Sequence, residues 1–367
     1  MKKKKIVYFS PIDFDDLKQR PQYIVEGLSD KYDVVYVEPT KSYIAAMLSG
    51  NKQVSYSREK RINDNLLVVK CGGTIIPPFM LRRFDYLNIA ERIEKKHLDK
   101  YINDAEYFIV GFEGWANFVF QYKSVKVIYD KLDDTEKLLR DKNSAYVVKK
   151  GRKRLERESN SYIITSKKFK DELEFYDKPI LYLPNGVCAN ITNTCEDVKN
   201  TDDISRRIYG YVGTISEWFD FEAIKKIAGQ STAKVVLVGP IIGYAPTIEN
   251  VEYVGRVSKE KAMEYIRSFD VCLYPFKKNE LLDTINPVKV YEYLSMNKPV
   301  IAIDTPEMDV FNSKVMRYSN YNELQELCNK HLDRPFIDQN ELLKFINDNS
   351  WNNRINRLVD FLGGNIE

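Results

Sequence analysis

The stretch from Asp283 to Thr305 constrains the fold of this chain more than any other. Asn286 is a residue type favoured at helix N-caps, and Pro287 fits the first helical position, where its missing N–H costs nothing. A helix is predicted from Val288 to about Met296. Asn297-Lys298-Pro299 ends it, and Val300 to Ile303 reads as a buried strand. A helix start carries free N–H groups and the positive end of the dipole, so it attracts phosphate; Lys289 adds a full charge in the first turn. Glu292, three residues on, shares that face. At about 1.5 Å of rise per residue it lies roughly 9 Å along the axis from Asn286. That separation suits one group holding a diphosphate and the other the hydroxyls of an attached ribose. The same residues also read as an ordinary Asn-Pro helix start with a Lys-Glu surface pair. Local physics leaves both readings open.

The rest of the chain surrounds this stretch with short apolar runs alternating with helical ones, the pattern of α/β folds. Its 367 residues suffice for two domains and two cores. A formal charge of only +3 argues against an all-over nucleic-acid binder, and 25 Tyr and 18 Phe argue against a disordered tail. The five cysteines form no C-x-x-C, and Met1 to Lys5 run straight into the strand Ile6 to Phe9 without a long apolar core. The expectation is a reducing, cytoplasmic setting. No run of 18 apolar residues suggests a membrane span. His97 and His331 sit in charged helical context and nothing has metal-ligand spacing, so no metal and no cofactor are expected.

In the first half, Ile6 to Phe9, a helix around Arg20 to Ser29 and Val34 to Val37 read as a parallel βαβ unit. Ligands of open α/β sheets sit at the carboxyl ends of strands, so the loop Ser10 to Arg20 offers Asp13, Asp15, Asp16, Gln19 and Arg20 to an acceptor. Solvated charge accounts for the same residues. Leu66 to Lys70 is a further strand, Gly72 to Arg83 an apolar loop with a basic edge, and Arg83 to Lys100 a helix. Two more strands, Tyr107 to Val110 and Val125 to Tyr129, end in loops carrying Glu113, Trp115, Asp130, Asp133 and Asp134. Grouped carboxylates raise one another's pKa, which is how a general base is tuned; Asp-Asp-Thr is equally a helix-start signal. Lys149 to Arg154 is a dense basic cluster leading into a helix. With the four N-terminal lysines it suits an anionic membrane surface, whereas no motif supports nucleic acid. Tyr162 to Ser166 and Ile180 to Leu183 complete the first sheet, and a polar linker follows from Cys188 to Arg206.

The second half begins a new series. Ile208 to Val212 is a strand, Gly213 and Thr214 open a loop able to cradle phosphate, and a helix starts at about Asp220. Val235 to Val238 ends in Gly239-Pro240, and Val251 to Arg256 is a short strand with a turn. Then come a helix from Lys259 to Ser268, the strand Val271 to Tyr274 and the stretch of the opening. Asn349-Ser350-Trp351 starts a last helix reaching Leu362.

Segment by segment, the series from Ile208 to Thr305 resembles the donor-binding half of GT-B glycosyltransferases, similar to the retaining family four, or group 1, transferases of cell-surface polysaccharide synthesis. Their signature helix has two glutamates with seven residues between them. Glu292 matches the second, while Thr284 stands at the first, which leaves retention and inversion both open. Gln19 to Gln22 resembles a Gln-Arg-Pro-Gln segment of bacterial cell-surface sugar transferases. Asn185-Gly186-Val187 resembles the edge of their first domain, and Ser350-Trp351 the start of their last helix. The glycine-rich first loop of many GT-B enzymes is missing, and so are the Arg and Lys that retaining members place after Gly213.

The resemblance implies a GT-B α/β fold of two Rossmann-like domains with parallel sheets facing across a cleft. The acceptor domain would be 1–188, the donor domain 207–347, and 348–367 a helix crossing back. It implies a hexosyltransferase-type, metal-independent enzyme acting on a nucleoside-diphosphate sugar, UDP-linked by preference. The acceptor would be a saccharide or polyprenyl-linked saccharide at the inner membrane face. The donor would lie against Gly213, Thr214, Gly239, Pro240, Val254, Thr284, Asn286, Pro287, Val288, Lys289 and Glu292. Asp13, Gln19, Arg20 and Trp115 would hold the acceptor, and Asp133, Asp134 or Glu113 would orient or deprotonate its hydroxyl. Two other functions fit the same fold: a nucleotide-sugar epimerase using water, against which the scarcity of His argues, and a non-catalytic nucleotide-sugar-binding scaffold.

Overall fold

A computed structural model describes residues 3–40, 58–71, 82–83, 89–139, 141–187, 207–330 and 336–364. The expected loop from Gly72, the linker from Cys188, and Cys188, Cys195 and His331 fall wholly or largely outside these residues. The chain divides into two compact units. Met1–Pro184 and Arg354–Glu367 form the first, and Asn185–Asn353 the second.

The first unit is built on β1 (Lys5–Phe9), β2 (Asp33–Val37), β3 (Arg58–Asn63), β4 (Leu66–Lys70), β5 (Ala105–Val110), β6 (Lys126–Lys131), β7 (Ser161–Ile164) and β8 (Ile180–Tyr182). They form one sheet in the order β3-β4-β2-β1-β5-β6-β7-β8, parallel except for the antiparallel pair β3 and β4. Strands covered by helices on both faces need no alternation, which is why Ile6, Val7, Tyr8 and Phe9 are all 0% exposed. β3 escaped the sequence reading for the opposite reason. Its Arg58-Glu59-Lys60-Arg61 has no apolar period, and its charges suit an exposed sheet edge. From Arg354 onward the last helix (Trp351–Leu362) belongs to this unit: the Tyr107 hydroxyl donates to the Leu362 carbonyl at 2.9 Å, and Arg357 to that of Tyr182 at 2.9 Å.

Several boundaries differ from expectation. The helix predicted from Arg83 to Lys100 ends at Ile102 and is described from Ile89, with 84–88 outside the described residues. The expected loop at Glu113 is a 3-10 turn (Glu113–Trp115) running into a short helix, Ala116–Val119. Asp130 and Lys131 lie inside β6 rather than after it. The basic cluster from Lys149 to Arg154 lies within the helix Lys142–Glu158, not ahead of it, because the apolar stripe Val147, Val148, Leu155 sets helical phase two turns earlier than the charge run suggests.

The second unit carries β9 (Arg207–Val212), β10 (Ala233–Val238), β11 (Val251–Gly255), β12 (Val271–Tyr274), β13 (Val300–Ile303) and β14 (Met316–Tyr318), all parallel, in the order β11-β10-β9-β12-β13-β14. This is the doubly wound order, whose direction reverses between β9 and β12. Asp220 starts the helix Phe221–Ala228 because its carboxylate accepts the N–H of Glu222 and of Ala223. The helix Val288–Ser295 stops where Asn297 takes a φ of 53°, a left-handed conformation asparagine tolerates. Beyond Thr305 the sequence offered no reading before Asn349. The structure places there a 3-10 segment (Pro306–Lys314), β14, and helices Tyr321–Asn329 and Gln339–Asp348.

Candidate functional site

In the second unit the crevice expected of such a sheet lies outside the carboxyl ends of β9 and β12. The loops leaving these two strands are stitched together. Phe219 pairs with Phe276, the Lys277 N–H donates to the Trp218 carbonyl at 2.9 Å, and Lys277 Nζ donates to the Glu217 carbonyl at 3.0 Å. The helix Val288–Ser295 packs against β12 and β13. The hydroxyl of its buried Tyr293 accepts the Val212 N–H at 2.9 Å, pinning the helix to the end of β9. Nothing in the sequence pointed to Tyr293, since a buried aromatic on a helix looks like any other core residue.

Pro287 holds the N-cap position of this helix, and no side chain caps it. Asn286 is therefore not the cap that its type and place suggest. It is buried, and its Oδ1 accepts the Asn185 N–H at 2.9 Å while its Nδ2 donates to Glu307 at 3.1 Å. Two long-range hydrogen bonds outcompete one local cap, and neither partner is visible from local sequence. Lys289 and Glu292 do share a face: Nζ lies 2.8 Å from Oε2, with the two side chains 33% and 21% exposed. Val288 is exposed beside them, whereas Pro287 is buried. Thr284 is also buried, its hydroxyl donating to the Leu281 carbonyl at 2.8 Å.

Gly213 and Gly239 end adjacent strands. The Gly213 N–H donates to the Val238 carbonyl and the Gly239 N–H to that of Gly255, both at 2.9 Å. Thr214 and Pro240 are exposed at this rim, with the Ile215 N–H donating to the Pro240 carbonyl at 3.0 Å. Val254 is half-buried in β11.

In the first unit the corresponding reversal lies between β1 and β5, so the loops after them meet at one rim. Much of what the sequence offered there is already engaged. Arg20 is buried, with Nη2 3.0 Å from Asp130 Oδ1 and Nη1 donating to the Leu183 carbonyl at 2.6 Å; Asp130 also accepts the Tyr8 hydroxyl at 2.8 Å. Arg20 is thus a structural counter-ion, not a free acceptor ligand. Asp13 pairs with Lys70 at 2.8 Å, and Asp15 with Arg58 and Lys60. Gln19 is exposed, its N–H donating to Gln22 Oε1 at 3.0 Å as the helix begins.

Trp115 is 1% exposed and packs on Phe9 and Phe118, with the Arg82 guanidinium 5.3 Å from its ring. It is core, not an acceptor platform. Glu113 is also interior. It accepts the Tyr129 hydroxyl at 2.8 Å and the Thr135 hydroxyl at 3.2 Å, and burial raises its pKa. Asp133 and Asp134 are only partly buried, and Asp134 lies 3.3 Å from Lys137. Desolvation, aided by the neighbouring Asp130 and Asp134 charges and opposed by Arg20, pushes the Asp133 carboxyl up to about 6. Asp133 thus combines partial exposure with the raised proton affinity of a base.

The basic cluster is similarly sorted. Lys149 and Arg152 pair with Glu136, Arg152 also with Glu156, and Arg154 with Glu158. The exposed positions of the helix Lys142–Glu158 are Lys142, Tyr146, Lys149, Lys150, Lys153 and Arg157, which helical spacing places on one face. Of the N-terminal lysines, Lys4 and Lys5 pair with Glu106 and Asp104.

Comparison with known proteins agrees with this geometry. Residues 206–325 match a family described as "Glycosyl transferases group 1". The putative teichuronic acid biosynthesis glycosyltransferase TuaH of Bacillus subtilis (strain 168) is 26% identical over 107 residues, a match spanning 27% of this chain and 27% of that protein. Among solved structures, sucrose-phosphate synthase (tll1590) from Thermosynechococcus elongatus superposes over 98% of both chains with a TM-score of 0.70 at 13% identity. The alpha,alpha-trehalose-phosphate synthase (UDP-forming) from Burkholderia vietnamiensis gives 0.69 at 12% identity over 98% of this chain and 97% of its own. Anabaena Alr3699/HepE in complex with UDP and glucose gives 0.62 at 12% identity over 98% and 100%. Two parallel-sheet units with these neighbours are the GT-B fold.

Proposed function

We propose that this chain, a GT-B protein whose residues 206–325 match the group 1 glycosyl transferases, moves a sugar from a UDP-sugar to a saccharide or polyprenyl-linked saccharide in cell-surface polysaccharide assembly. The observation that carries the reading is the Lys289 and Glu292 pair on one face of an uncapped helix start beside the β9 and β12 crevice. In this reading the diphosphate lies against the amides of Val288 and Lys289, the Lys289 ammonium and the Gly213-Thr214 loop, with Lys277 nearby. Glu292 takes the ribose hydroxyls. Fixed dipoles and lysine charge compensate the leaving diphosphate, so no metal is invoked. UDP occurs in the names of two similar structures, the UDP-forming synthase and the HepE complex, which supports the nucleotide chosen.

Thermal-shift measurement against a panel of nucleotides and nucleotide sugars tests the donor. A ligand at about 100 times its Kd stabilises the fold by about 2.7 kcal/mol. UDP and UDP-sugars are expected to raise the melting temperature by several degrees, and Glu292→Ala to abolish the shift. A panel in which other nucleotides outrank UDP, or an undiminished shift in Glu292→Ala, refutes the assignment. Sugar transfer, as against binding alone, separates the enzyme from a scaffold.

On the acceptor side we assign the base to Asp133, with Asp134 beside it. A base works deprotonated, so kcat/KM should rise with pH through about 6, the value to which burial lifts this carboxyl. Asp133→Asn should remove that limb and lower kcat by about 100-fold. A limb retained in the variant would assign the base elsewhere.

The partner we assign to the face of Lys142, Tyr146, Lys149, Lys150, Lys153 and Arg157 is an anionic membrane surface. Each lysine near such a surface contributes about 1 kcal/mol, so Lys150→Glu with Lys153→Glu should weaken binding to phosphatidylserine vesicles more than tenfold. Equal sedimentation with neutral vesicles would remove this partner.

A further inference from the structure

We infer that the ion pair between Lys289 and Glu292 is a lock on the donor site, opened efficiently only by a ligand that replaces both partners at once. The inference rests on the donor site proposed above and assigns its selectivity: intact nucleoside diphosphates over their fragments. In the empty protein each of the two groups is the other's counter-ion, at 2.8 Å on one face of the helix. Both are half-buried, and the uncapped helix start lies one turn away.

Consider the ligands that could approach. Inorganic pyrophosphate drawn to Lys289 and the helix amides meets the Glu292 carboxylate beside it. It must displace that carboxylate, and it then sits next to an unpaired charge of its own sign. A free nucleoside offering ribose hydroxyls to Glu292 takes the carboxylate away from Lys289 and returns no anion. A nucleoside diphosphate does both exchanges together. Its phosphates replace the carboxylate at Lys289, and its vicinal hydroxyls donate to the released Glu292. The pair thus guards the site against free phosphates without a residue dedicated to exclusion, a specificity obtained by opposing the wrong ligand as well as favouring the right one.

The test is calorimetric titration of the full chain with uridine diphosphate, uridine and inorganic pyrophosphate, in wild type, Glu292→Gln and Lys289→Gln. Both positions are partly exposed, and the fold of each variant is confirmed by circular dichroism. In Glu292→Gln the lysine is released, so pyrophosphate should bind about two- to fivefold tighter, the span of ion pairs of this kind. Uridine diphosphate should bind at least about tenfold weaker through loss of the charged ribose contact. In Lys289→Gln the signs reverse for the fragments, with uridine tighter and pyrophosphate weaker. Pyrophosphate unchanged or weaker in Glu292→Gln, with uridine diphosphate weakened, overturns the lock and leaves the donor site standing. Unchanged uridine diphosphate affinity in both variants overturns the donor site, and the lock with it.

Discussion

Arg20→Met is expected to destabilise the first unit by about 3–5 kcal/mol, the usual consequence of leaving one partner of a buried ion pair without the other. Arg20 is 6% exposed and Asp130 0%, and their pairing at 3.0 Å joins the first helix to β6. With the guanidinium gone, Asp130 keeps, among the described residues, the Tyr8 hydroxyl as its side-chain donor, and the Leu183 carbonyl loses the Arg20 donor as well. For a unit of this size the loss corresponds to a fall of the first melting transition on the order of 10 °C. Arg20→Lys should recover little, because one ammonium cannot span Asp130 and Leu183 as the planar fork does. Arg20→Met combined with Asp130→Asn should recover a large part, since no charge is then stranded. Calorimetry of the three variants decides. A loss below about 1 kcal/mol in Arg20→Met would mean that water reaches the pair. The substitution has a second reading: Arg20 is the charge that holds the Asp133 pKa down, so the acidic limb of activity should move above 6.

The other large effect is expected at Gly239. Its φ is +141°, and a Cβ there would stand 2.0 Å from the Gly213 carbonyl oxygen. That oxygen is held in place, because Gly213 is hydrogen-bonded through its own N–H to Val238, the residue before Gly239, and it yields only if this strand-end contact is disturbed. Gly239→Ala therefore combines backbone strain of about 1–3 kcal/mol with overpacking of similar size. Relief can come only from moving the Gly213-Thr214 loop, so uridine diphosphate affinity should fall at least about tenfold along with stability. Gly255→Ala is the control. Its φ of +80° carries strain, but among the described residues no atom beyond its chain neighbours lies within 4 Å of the new Cβ. It should be several-fold milder in stability and nearly silent in donor affinity. Equal effects at the two glycines would show that strand-end contact is not what the glycine at 239 provides.

The site was legible in unequal parts. Lys289 and Glu292 were readable because residues three apart on a helix must be neighbours, a fact of local geometry. Asn286 was misread for the complementary reason. Its type and place suit a cap, yet Asn185, 101 residues away, and Glu307 claim its side chain. Trp115 and Glu113 were assigned to a rim because they follow a strand. The 3-10 turn and the helix Lys142–Glu158 packed on it carry them inside instead, a matter of which helix covers which face.

By itself the sequence determined the elements that bury both faces of a strand or one stripe of a helix, since apolar runs and helical phase act within a few residues. Lys259–Ser268 and Val271–Tyr274 appear in the structure with the boundaries their residues imply. Only the tertiary structure decided which charges are spent on the fold and which remain for a ligand. Arg20 finds Asp130 across 110 residues, and Arg58 finds Asp15 and the buried Glu38 from an edge strand that has no hydrophobic signature. An unpaired charge is costly to bury, so its partner is chosen by the topology that brings strand ends together. That choice is not written in the neighbouring sequence.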